Sequence, residues 1–150
     1  TLNTTPAYFH GIHLFGDVRS FIADILIVTD MTDKSRAIVY KLKDGVKIGE
    51  VNNTNIKEKC DIIGYQANSN NYIEEFDLSG GPYFIPKSVG SNKKYDYNYV
   101  NYNNDETIRI ALVGGGAHRG SVAGVGDFYS AWVQSNANAN VGFFTITDLD

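Results

Sequence analysis

The chain has 150 residues and a net charge of −4, from 13 basic and 17 acidic side chains. That length suits one domain with a substantial core, and the charge argues against nucleic acid as the main partner, because a phosphate-binding surface needs clustered Lys and Arg. No run approaches the roughly eighteen apolar residues of a membrane helix, so no membrane insertion is expected, and the single cysteine, Cys60, excludes an internal disulfide and a cysteine-based zinc site.

Residues 1–9 lack the basic-then-apolar pattern of a signal peptide. The chain opens at Thr1 and its one methionine is Met31, which suggests the C-terminal part of a longer protein. Ten tyrosines and fifteen asparagines stand beside fifteen glycines. Binding surfaces favour these residues, since Tyr supplies contact area at low entropy cost and Asn supplies adaptable hydrogen bonds. An AT-rich gene would leave the same bias.

In chain order, Val18, Phe21, Ile22, Ile25 and Leu26 fall at the spacing of an amphipathic helix with Asp17 as its cap. The pattern predicts a helix ending near Leu26, against the strand that the β-branched residues of 25–29 favour. Residues 37–42 and 46–51 read as a hairpin turned by Lys43-Asp44-Gly45. Loops are expected at 52–55 and 66–71. Ser79-Gly80-Gly81-Pro82 breaks the chain before a short buried segment at 83–86. Residues 95–104 are aromatic and polar by turns, too rich in Asn for a plain central strand. Residues 107–113 are the clearest strand, with Ile108, Ile110 and Leu112 alternating against Arg109 and Ala111. A last strand is expected at 141–146. This reading gives an α+β chain in one domain, 1–150.

The stretch 111–144 carries the functional signal. A strand ends in Gly114-Gly115-Gly116, glycines recur at 120, 124 and 126, and Asn136, Asn138 and Asn140 alternate with Ala137 and Ala139. At a period of two, the asparagines share one side and the alanines the other. This pattern suits a contact surface, and equally an exposed edge strand with a solvated side.

Ala111-Leu112-Val113-Gly114-Gly115, the exit Ser135-Asn136-Ala137-Asn138-Ala139-Asn140-Val141-Gly142, and the spacing between them resemble the variable region of proteins diversified by retroelements. The best-known relatives are phage tail receptor-binding proteins. The resemblance implies a C-type-lectin-like fold of the formylglycine-generating-enzyme type, with early helices and small twisted antiparallel sheets. It also implies a hypervariable surface that attaches a virus or cell to a protein or glycan on a target cell, from a virion tail or a cell surface. Carried over by position, Gly116, His118, Arg119, Gly120, Val122, Tyr129, Ala131, Trp132, Asn136, Asn138 and Asn140 would face the ligand. Ala117 and Phe143 depart from the family's usual residues. Tyr95-Asp96-Tyr97-Asn98-Tyr99 is similar to an aromatic-aspartate element of related phage-tail domains.

Trp132 and Tyr129 read as surface anchors in a polar stretch, although a lone Trp usually packs in a core. His118-Arg119 reads as an anion- or carbonyl-recognising pair or as a solvated one. Phe128, Phe143, Phe144 and Ile146 are assigned to the core, and Cys60 to a buried, inert thiol. No enzyme is expected. Formylglycine-type chemistry needs active-site cysteines; the carboxylates Asp96, Asp105, Glu106 and Asp127 lack an informative spacing; and Ser121 beside His118 has no nucleophile context. Neither a metal nor a cofactor is expected, the rival being a calcium-dependent lectin site on residues 103–106 or Asp127. The other reading is a fixed carbohydrate-binding or structural domain of a tail fibre or adhesin. Oligomerisation is left open.

Overall fold

The computed structural model describes residues 7–9, 12–15, 20–100, 104–113, 128–133 and 142–144. β1 (Ala7–Phe9) and β2 (Ile12–Phe15) form a two-stranded antiparallel sheet. The main sheet has nine strands: β3 (Ser20–Thr29), β4 (Arg36–Leu42), β5 (Cys60–Ala67), β6 (Asn71–Asp77), β7 (Ile85–Gly90), β8 (Tyr97–Val100), β9 (Arg109–Val113), β10 (Phe128–Val133) and β11 (Gly142–Phe144). Its order is β5-β4-β3-β9-β10-β8-β6-β7, with β11 pairing the first residues of β3. Most pairs are antiparallel; β10–β8 and β11–β3 are parallel. Among the described residues the only helices are a 3-10 turn at Ile48–Glu50 and α1 (Ile56–Lys59).

The expected α+β, C-type-lectin-like architecture is therefore corrected to a predominantly β fold. The expected helix ending near Leu26 is β3. The reason lies in burial: Leu26 and Val28 enter one apolar core while Ile25 and Ile27 enter another. A strand covered on both sides reads as a continuous apolar run, and such a run contains helical spacings by accident. The expected hairpin is half right. Val46 N–H closes the turn on the Lys43 carbonyl at 3.1 Å, and Gly45 takes φ +80°. Beyond the turn the chain does not return as a strand. It covers the outer side of the sheet, with Val46 and Ile48 packed on the first core, and β4 pairs with β3 and β5 instead.

The first core joins Leu26, Tyr40, Leu42, Cys60, Ile110 and Leu112 of the sheet to Val51 and Ile56 of the cover. The second is enclosed by the curl of the sheet, drawing Ile27, Val39, Ile73, Ile85, Ala111 and Phe128 from six strands. β5 and β7, at opposite ends of the strand order, lie against each other. Gly64 permits this approach, since a Cβ there would sit 2.9 Å from Ile85 Cδ1 and 3.0 Å from Asp77 Oδ2. The Tyr83 hydroxyl donates to Asp24 Oδ2 within the second core, and burial raises the Tyr83 pKa. Arg109 is fully buried, with Nη2 3.4 Å from Thr29 Oγ1; burial pulls its guanidinium down to about 10 and leaves it charged at neutral pH.

Four turns share one device, an aspartate accepting from the residue two places on. Asp30 Oδ1 takes the Thr32 N–H at 2.9 Å and its hydroxyl at 2.6 Å, while Oδ2 takes Arg36 Nε at 2.9 Å. Asp33 and Asp77 hold Ser35 and Ser79 in the same way, and Asp105 accepts the Thr107 N–H. The Thr32 bonds, with help from Arg36, hold the Asp30 carboxyl at about 2; the other three are also lowered, chiefly by these turn bonds. A carboxyl whose folded pKa lies below its unfolded value stabilises the fold above the unfolded value, and this stability is lost as pH falls through the folded one. Melting temperature is therefore expected to drop between about pH 4 and about pH 2. The deficit of Asp30→Asn relative to wild type, measured by thermal melts across this range, is expected to shrink as the pH falls. A deficit independent of pH would contradict the assignment.

Candidate ligand-binding face

β6 and β8 alternate, and their alternation builds a surface. Ile73 and Asn98 are fully buried on the inner side. Tyr72 and Tyr97, their neighbours, are register partners on the outer side. The two rings meet edge to face, with centroids 5.1 Å apart and planes at 85°, and Tyr99 continues the row at 6.3 Å from Tyr97. Both geometries lie in the range preferred by aromatic pairs. A second group forms where Phe76 meets Tyr95 at 5.4 Å and Phe84 at 6.1 Å. Phe84 is 63% exposed and Tyr95 46%, so large ring surface faces solvent.

The 91–96 segment ties the groups together. It places Lys93 Nζ 5.7 Å from the Tyr72 ring centroid and Lys94 Nζ 5.4 Å from that of Tyr95, within cation–π range. Lys93 has φ +52°, the one non-glycine residue in the left-handed region among those described. Nearby acids are engaged locally. Glu74 Oε1 accepts from Asn92 Nδ2 at 2.6 Å, and Glu75 Oε1 from the Ser88 hydroxyl at 3.1 Å. The Glu74 carboxylate occupies the space a side chain at Gly90 would need. Among the described residues neither lysine has an ion-pair partner.

The inner side of β8 holds the face rigid. Asn98 Nδ2 donates to the carbonyls of Ala67 and Ser69, each at 2.9 Å, and Oδ1 accepts from Gln66 Nε2 at 2.7 Å. Asn70 Oδ1 accepts the Val100 N–H at 2.7 Å. The strand that carries Tyr97 and Tyr99 is thus anchored to β5 and to the turn before β6. Such preorganisation lowers the entropic cost of binding.

The residues expected to face a ligand divide into two sets. Gly116, His118, Arg119, Gly120, Val122, Asn136, Asn138 and Asn140 lie outside the described residues. Tyr129, Ala131 and Trp132 belong to β10, an internal strand between β9 and β8. In register, Tyr129 pairs with Tyr99 and Leu112, and Trp132 with Ile110. Phe128 is buried as expected, as is Cys60, whose thiol pKa burial raises. Phe143 and Phe144 lie on β11, and Ile146 is outside the described residues. Asp105 and Glu106 are exposed, and no three His, Cys, Asp or Glu side chains gather to hold a metal among the described residues. No described helix is long and apolar enough to cross a membrane.

The sequence reading noticed Tyr95, Tyr97 and Tyr99 but missed Tyr72, Phe76 and Phe84. The available signal was Tyr72 beside the apolar Ile73, a strand alternation next to a second aromatic alternation; Phe76 follows two bulges and packs on the same core as Ile73, so no alternation marked it. Comparison of the chain with protein-family models, curated proteins and solved structures finds no match.

Proposed function

We propose that this chain is a non-catalytic recognition domain, which attaches a virus or cell to a glycan or protein on a target surface through the outer side of β6 and β8 and the 91–96 segment. The observation that carries the proposal is two aromatic groups joined by the 91–96 segment, each with a lysine over a ring: Tyr72, Tyr97 and Tyr99 on the outer side of β6 and β8, and the exposed Phe84 and Tyr95 around Phe76, which packs on the second core. Aromatic anchors on rigid elements are the usual source of binding energy at recognition surfaces.

The test uses the labelled domain on arrays of cell-surface glycans and proteins. The double variant Tyr97→Ala, Tyr99→Ala is expected to lose binding at least about tenfold, which corresponds to roughly 1.4 kcal/mol. Both rings are only half buried, so most of the thermal stability is expected to persist. Unchanged binding of a folded double variant would sink the proposal.

Diversification of 111–144 is a separate proposal that rests on the sequence resemblance. Its check is the DNA downstream of the gene: a near-copy of these codons differing mainly at adenines, beside a reverse transcriptase gene. Finding neither would leave a fixed binding domain.

A further inference from the structure

We propose that the interior of the curled sheet binds a single water molecule, held between Gln66 on β5 and Ser130 on β10. One end of the second core is polar. The inner row Thr29–Ala37–Gln66 crosses β3, β4 and β5 in register, and Arg109 on β9 stands opposite Ile27. On the facing strands, Asn98 of β8 is the register partner of Phe128, and Ser130 follows Phe128 along β10, still in step with β8. At a strand period of two, Ser130 shares the inner side with Phe128, which belongs to the second core. Thr29, Gln66, Asn98, Arg109 and Ser130 are all buried.

The hydrogen bonds of Asn98 decide what remains over. Its Nδ2 donates to the Ala67 and Ser69 carbonyls, so its Oδ1 faces Gln66, and Gln66 answers with Nε2. Turning either amide over would set acceptor against acceptor, so the orientation of Gln66 is fixed. Its Oε1 is left as a sealed acceptor with no hydrogen-bond partner among the described residues, and the Ser130 hydroxyl is in the same condition. Buried polar atoms are nearly always satisfied, by protein or by an ordered water. These two do not meet each other directly, and one water satisfies both. It donates to Gln66 Oε1 and shares a second hydrogen bond with Ser130 Oγ, which can donate or accept. The water ties strands that the sheet does not. β4, β3 and β9 separate β5 from β10 along the ladder, so the bridge crosses the interior, beside the Gln66–Asn98 bond that anchors β8.

The experiment is oxygen-17 relaxation dispersion on the whole chain and on Ser130→Ala, with thermal melts of both. The dispersion counts waters that tumble with the protein and is blind to the exchanging hydrogen of the serine hydroxyl. The expected result is a wild-type dispersion whose amplitude falls by about one water in Ser130→Ala. The variant should also melt at a lower temperature, because Gln66 Oε1 loses its donor with the water. Without a water in this place, Ser130→Ala only removes an unmet hydroxyl, and the variant melts at the same temperature or higher. In the wild type, nuclear Overhauser effects between a bound water and the side-chain amide of Gln66 are expected, and their absence overturns the inference whatever the variant does. An amplitude unchanged in Ser130→Ala, or a variant at least as stable as the wild type, overturns it too.

Discussion

Asn98→Ala is expected to destabilise the chain by about 2–5 kcal/mol, because it strips partners from Gln66 Nε2 and the Ala67 carbonyl, each costing roughly 1–3 kcal/mol if left buried and unmet, while the carbonyl of the exposed Ser69 can turn to water. The amide of Asn98 is fully buried and satisfies the Ala67 carbonyl, the Ser69 carbonyl and Gln66 Nε2. Against a typical total stability of about 5–15 kcal/mol, this loss is severe. Asn98→Asp keeps the shape and the acceptor for Gln66 but sets carboxylate oxygen against the two carbonyls, so it should be no milder. Urea denaturation of both variants checks this. A loss under about 1 kcal/mol for Asn98→Ala would mean that water or a shifted backbone replaces the clamp. Because β8 carries Tyr97 and Tyr99, ligand binding by any folded Asn98 variant should weaken although residue 98 points away from the face.

Ile27→Ala carries the second large effect, about 2–5 kcal/mol by the usual cost of emptying a buried aliphatic site. Ile27 is fully buried in the second core, while its neighbour Leu26 is fully buried in the first. The two substitutions should therefore hurt comparably, as only a strand covered on both sides allows. In the helix suggested by the spacing of Val18, Ile22, Ile25 and Leu26, residue 27 falls outside the apolar stripe and its truncation would be nearly silent. Chemical denaturation of Leu26→Ala and Ile27→Ala, measured side by side, separates the two architectures. A silent Ile27→Ala would restore the helical reading.

The contrast between these neighbours shows where the sequence was readable. Residues 107–113 were recognised because β-branched and apolar residues alternate over five positions between turn signals, although both sides of β9 prove to be buried, Arg109 included. The turn at Gly45 was legible because Asp-Gly accepts positive φ. The buried segment expected at 83–86 was legible in part: Tyr83 and Ile85 are buried, but Phe84 between them is exposed. β3 was not, because its two-sided burial erases the alternation that marks a strand. The partner of β4 was also hidden: Val46 and Ile48 are apolar because they cover the sheet, which mimics a returning hairpin strand. At the site, the tyrosines of β8 could be seen but their companions could not, since Tyr72 joins them only through the β6–β8 register, and Phe76 meets Tyr95 and Phe84 only through contacts between distant segments.

The pairing of β11 with β3 bears on the order in which the molecule can form. Gly142–Phe144 lies in register with Ser20–Ile22, about 120 residues away along the chain, and such distant pairings slow folding because loop closure must precede the contacts that reward it. As the chain leaves the ribosome, β3 can pair with β4 early, but its first residues must wait for residues 142–144 to be synthesised. Until then that end of an apolar strand has an open edge, and a chaperone or a neighbouring copy of the chain could engage it.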